Sequence, residues 1–109
     1  MEDFPPFITA LPDIDVPFEG VTGHLMQGES QQVAFLRFPD DTIVPEHTHR
    51  AQWELVLAGE VILNAWGREQ TFTAGDTFYL EEGEPHSAVV KAGYRAVVFF
   101  DQTDRYTTK

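Results

Sequence analysis

Short runs rich in β-branched and aromatic residues alternate with turn residues along most of the chain, and nothing in the pattern resembles an amphipathic helix of three turns. This is the signature of a β-sandwich or barrel. The runs predict strands at Gly23–Gln27, Gln31–Phe38, Gln52–Leu57, Glu60–Trp66, Glu69–Thr73, Thr77–Leu80, His86–Lys91 and Tyr94–Asp101. Between them stand breakers: Pro39-Asp40-Asp41, Ala58-Gly59, Ala74-Gly75-Asp76 and Glu82-Gly83-Glu84-Pro85. Roughly eight strands with almost no helix predict an all-β jelly roll or a related closed barrel over residues 21–109.

Residues 1–20 differ in character. FPPFITALPDIDVPF carries four prolines among large apolar side chains. Proline fixes φ and lacks a backbone donor, so this stretch is expected to be an extended arm and not a core strand. Its Phe4, Phe7, Ile8, Leu11, Ile14, Val16 and Phe18 need a surface to cover, either on the chain's own barrel or on a partner's. At the other end DRYTTK is expected to fray.

Charge and composition narrow the functions. The formal charge of −11 argues against nucleic acid, where binding rests on Lys and Arg displacing counterions. No cysteine is present, which removes disulfides, thiolate metal sites and thiol nucleophiles together. No apolar run approaches the roughly 20 residues that span a bilayer, and MEDFPPF lacks the basic-then-apolar order of a signal peptide. The expectation is a cytoplasmic protein of 109 residues and one barrel domain, with neither membrane nor nucleic-acid partners.

The chemistry sits in two stretches. In PEHTHRAQWELVLAGE, His47 and His49 are two apart, so on extended backbone both imidazoles point to one face. Gln52 and Glu54 share parity in the strand that follows. In GDTFYLEEGEPHSAVV, His86 opens a strand directly after a turn. Facial imidazoles with open positions suit Zn, Fe, Ni or Cu. His24 lies outside both stretches and reads as a packed or exposed histidine. Arg37 is a candidate anchor for an anionic substrate, although a surface salt bridge is the plainer reading. Glu81, Glu82 and Glu84 read as a solvated turn. Trp53, Trp66, Phe35, Phe38, Phe78, Tyr79, Phe99 and Phe100 read first as core and interface.

These two stretches resemble the paired motifs of the RmlC-like cupin superfamily, and the wider string PEHTHRAQWELVLAGEV…GDTFYLEEGEPHSAVV…FFDQTDRY is similar to small single-domain bacterial cupins. The resemblance covers about Val44 to Val90. It implies a cupin barrel, one divalent metal ion on His47, His49 and His86, a small-molecule substrate, and a homodimer closed through the N-terminal arm. The fourth ligand depends on the direction of counting. Four intervening residues after His49 select Glu54, whereas six intervening residues before Gly59 select Gln52. Strand register is fixed by the pleat while loops absorb deletions, which favours Gln52. Glu54 is then a candidate catalytic base beside a metal acting as Lewis acid, the chemistry of isomerases and lyases. Small uronate-converting cupins are similar in this respect. A metal-dependent dioxygenase and a non-catalytic binder are the rival functions.

Overall fold

Residues 3–109 are described in a computed structural model. Among them nine strands form two antiparallel sheets: β1 (Thr22–Gln27), β2 (Gln32–Phe38), β3 (Thr42–His47), β4 (Gln52–Ala58), β5 (Glu60–Ala65), β6 (Arg68–Thr73), β7 (Thr77–Leu80), β8 (His86–Val90) and β9 (Tyr94–Phe100). One sheet runs β1-β2-β9-β4-β7 and the other β3-β8-β5-β6. Alternation along each strand decides what faces inward. Leu36, Val56, Val61, Leu63, Leu80, Val90, Val98 and Phe100 fill the space between the sheets and are almost fully buried. At about 25 cal/mol per Å² of apolar surface removed from water, these inward rows are the main source of stability. No helix among the described residues is long and apolar enough to cross a membrane.

Eight of the nine strands fall where the sequence predicts them, within a residue or two at the ends. The ninth, β3, has no counterpart in the sequence reading. Its alternation is broken: Val44 pairs with Ala88 and His47 with His86, so β3 takes three steps where β8 takes two. This is a β-bulge, and it falls at Pro45-Glu46, where proline could not have donated to a regular ladder. The extra residue moves His47 to the inward face, opposite His86.

Both termini depart from expectation. The N-terminal stretch is not extended throughout, since Pro6–Thr9 forms one helical turn with proline at its first position. Phe4 and Ile14 are buried, Phe4 packing edge-on against Phe35 of the same chain. Phe7, by contrast, is 78% exposed. The C-terminal segment does not fray. Asp15 N–H donates to the Thr107 carbonyl and Lys109 N–H to the Asp13 carbonyl, each at 2.9 Å. Buried Gln32 donates to the Thr103 and Tyr106 carbonyls and accepts from Tyr106 N–H, all at 3.0 Å. A buried primary amide needs such partners, and the backbone of the tail supplies them.

Candidate metal centre

His47 ends β3, His86 opens β8 opposite it, and His49 follows in the loop that leads to β4. Their ring centroids lie 4.2 to 5.2 Å apart. One ligand atom from each falls within 4.8 Å of the other two, so these histidines could hold a metal ion. The hydrogen bonds of the other ring nitrogens define the tautomers. Nδ1 of His47 lies 2.8 Å from the Pro45 carbonyl, Nδ1 of His49 2.6 Å from that of Arg50, and Nδ1 of His86 2.9 Å from that of Glu84. A carbonyl only accepts, so each Nδ1 carries the proton and each Nε2 keeps its lone pair for a ligand bond. His49 Nε2 is buried without any partner. Burial holds His49 down to about 4, against the upward pull of the Arg50 carbonyl, and Arg105 lowers it further. Burial lowers His86 as well. Neutral imidazoles with free Nε2 atoms fit a divalent ion of the Zn, Fe, Ni or Cu type.

Gln52 and Glu54 face inward from β4, each 8% exposed. Glu54 is not among the residues whose ligand atoms cluster. Its Oε1 accepts from Gln52 Nε2 at 2.8 Å, and its Oε2 accepts a hydrogen bond from the Tyr94 hydroxyl. Two donors aimed at one carboxylate fix the Gln52 amide with its nitrogen toward Glu54, leaving Oε1 as the free acceptor. Burial raises the Glu54 carboxyl to about 7, while the bonds from Tyr94 and Gln52 restrain the rise. Burial, then the Glu54 charge, pushes the Tyr94 hydroxyl up strongly, so the shared proton stays on the tyrosine.

Tyr94 was invisible as a partner of Glu54 in the sequence, although its parity with Val98 and Phe100 marks it as inward. Gly59 brings it close. A Cβ on Gly59 would lie 2.8 Å from Tyr94 Cα, and Gly59 has φ +76°. Only glycine satisfies both conditions.

Gln52, Glu54, Tyr94, His47 and His86 line one inner cavity of about 80 Å³ whose remaining wall is mostly aliphatic and aromatic. Of the aromatics singled out in the sequence, Phe38, Phe78 and Phe100 reach it, joined by Phe18 and Tyr106. His47 and His49 also line a wider outer mouth of about 410 Å³. The histidines therefore stand between cavity and mouth. His24 is far from both, bonded to Asp13 at 3.2 Å, and Arg37 pairs with Asp3 at 3.4 Å outside the cavity. Glu82 pairs with Arg50 at 3.0 Å, and Glu84 accepts from Trp66 N–H at 3.2 Å.

The profile of the cupin domain family (Cupin_2) matches residues 34–101, more than half of the chain. The protein is a cupin. Its barrel superposes on an RmlC-like cupin from Shewanella frigidimarina with TM-score 0.75 at 23% identity, covering 86% of each chain. A cupin superfamily protein from Desulfitobacterium hafniense gives TM-score 0.72 at 15% identity, covering 94% of this cupin and 93% of the other chain. KdgF from Halomonas sp. gives 0.71 at 18% identity, covering 84% and 88% respectively. At such identities the likeness is one of fold. No curated protein matches the sequence.

Proposed function

We propose that this cupin is a metal-dependent enzyme that moves a proton on a small oxygenated molecule, with His47, His49, His86 and Gln52 as ligands and Glu54 as base. One observation carries the reading: one ring nitrogen from each of three imidazoles converges, while a buried carboxylate lining the same cavity stays outside the cluster, held by Gln52 and Tyr94. A divalent ion on three neutral imidazoles and a neutral amide supplies Lewis acidity toward a carbonyl. Glu54 takes the proton from the carbon next to that carbonyl and returns it, to the same or a neighbouring carbon. Tyr94 and Gln52 hold the carboxylate in place between the two transfers, and the apolar wall keeps bulk water away from it.

The test is exchange of carbon-bound hydrogen for deuterium in D₂O, followed by NMR on a panel of small ketones and 2-oxo acids with the metal-loaded protein. Exchange that Glu54→Gln abolishes without loss of metal supports the reading. Equal exchange in Glu54→Gln, or none across the panel, overturns it.

The protein is proposed to act in the cytoplasm as a homodimer. The net charge of −11 and the absence of cysteine are what favour a cytoplasmic protein without nucleic-acid partners. Support for the dimer comes from the outer face of the five-stranded sheet, where Met26, Val33, Phe99, Trp53 and Tyr79 stand side by side in register. Met26 is 50%, Phe99 45%, Trp53 39% and Tyr79 53% exposed. Half-exposed aromatics of roughly 150–250 Å² each give this row about 300–400 Å², near half of the ~800 Å² per partner in a stable interface. Sedimentation should give a dimer that Trp53→Glu dissociates, and a monomeric wild type at micromolar concentration would refute it.

A further inference from the structure

Seven basic residues stand against 18 acidic ones, and most of them make no ion pair among the described residues. Arg37 and Arg50 each have a carboxylate partner. Arg105 has none among the described residues, and its Nε is buried without a hydrogen bond. Asp104 and Glu46 line the same mouth yet do not pair with it. A buried, unmet donor of a charged group is costly, so its retention calls for a partner that arrives from outside.

The position is built. Arg105 and His47 both line the inner cavity and the mouth. The guanidinium carbon lies 4.6 Å from the Tyr106 ring centroid and 5.6 Å from that of Phe100, so two aromatic rings hold the cation in place. Gln32 clamps the surrounding backbone through Thr103 and Tyr106. The charge also acts on the metal centre, lowering both His49 and His86. Glu54 lines only the inner cavity, whereas Arg105 lines the cavity and also the mouth, where Glu46 and Asp104 stand.

We infer that Arg105 binds the carboxylate of the substrate, and that the substrate is a short-chain 2-oxo or 2-hydroxy acid with an apolar tail. The inference rests on the function proposed above and narrows its substrate class. A fixed guanidinium matches a carboxylate bidentately. With the acid group at Arg105, the neighbouring oxygen falls toward the histidines and the tail enters the wall of Leu36, Val61, Leu63 and Val98. A volume of about 80 Å³ holds on the order of six water-sized groups. A polyhydroxylated sugar acid would leave hydroxyls unpaired against that wall, each at a desolvation cost.

The experiment is calorimetric titration of the zinc-loaded full chain with 3-methyl-2-oxobutanoate, with its neutral counterpart 3-methyl-2-butanone, and with glucuronate. The oxo acid should bind at least 10-fold tighter than either of the others. Arg105→Gln should weaken the oxo acid at least 10-fold, leave the ketone and the zinc content unchanged, and be partly rescued in Arg105→Lys. Equal affinity for the oxo acid in Arg105→Gln and wild type overturns the inference, as does absent binding or a preference for glucuronate. The two readings fail separately. Tight Arg105-dependent binding without deuterium exchange removes the proton-transfer reaction alone, and exchange indifferent to Arg105 removes the anchor alone.

Discussion

Gln52 and Glu54 have side chains of the same length and shape and differ as amide against carboxylate, and the division of labour at the site follows from how they are bonded to each other. Both face the cavity from β4. Because Gln52 Nε2 donates to Glu54 Oε1, the amide oxygen remains free while the carboxylate is occupied by two donors. Gln52→Ala removes a ligand atom from the proposed set and one donor from Glu54. Metal affinity should fall about 10-fold or more, the size of loss usual when a ligand or its supporting contact goes. Glu54→Gln keeps the shape and removes only the charge, so its affinity should stay within a few-fold of wild type. Competition with a chromogenic chelator measures both. A Gln52→Ala protein with wild-type affinity, beside a weakened Glu54→Gln, would reverse the assignment and leave the site without a free base.

The strands were legible because turn residues punctuate them, and the inward rows follow from alternation once a strand is placed. What was not legible lies in elements set by distant partners. β3 hides because a bulge at Pro45-Glu46 breaks its alternation, yet that bulge is what faces His47 toward His86. The tail reads as frayed because its anchor, Gln32, is more than 70 residues away in sequence. Tyr94 and Glu54 are 40 residues apart and meet only through the pairing of β4 with β9. The β4–β5 turn offers a test of that juxtaposition. Alanine at Gly59 must take φ +76° and put its Cβ 2.8 to 3.1 Å from backbone atoms of Tyr94 and Gly93, which have no side-chain freedom to yield. Gly59→Ala should lose more than ~1 kcal/mol in chemical denaturation, the strain expected of alanine at positive φ. It should also cut exchange activity by shifting Tyr94. Unchanged stability would mean that the turn relaxes and that Gly59 does not position the tyrosine.

At the scale of the molecule, the proposed ligands come from both sheets. His47 and His86 belong to the four-stranded sheet, Gln52 to β4 of the five-stranded one, and His49 to the loop joining them. An ion held by all four binds the folded barrel far better than the unfolded chain, in which His86 is 34 residues beyond Gln52 and a long loop separates it from the other three. Mass action then makes it a source of stability, about 2.7 kcal/mol at a free ion concentration 100 times Kd. For a chain of about this length each kcal/mol moves Tm by roughly 4–8 °C, so removing the ion with a chelator should lower Tm by about 10 °C or more. His86→Ala should show almost no chelator effect. Gln52→Ala should show a reduced one, because its ion no longer ties one sheet to the other. Differential scanning calorimetry of the three proteins with and without chelator reads this directly. If the wild-type protein carries one ion per chain yet melts at the same temperature after its removal, the ion sits on the surface and not between the sheets. An equal chelator effect in wild type and Gln52→Ala would instead confine the site to the three histidines, with no ligand from the five-stranded sheet.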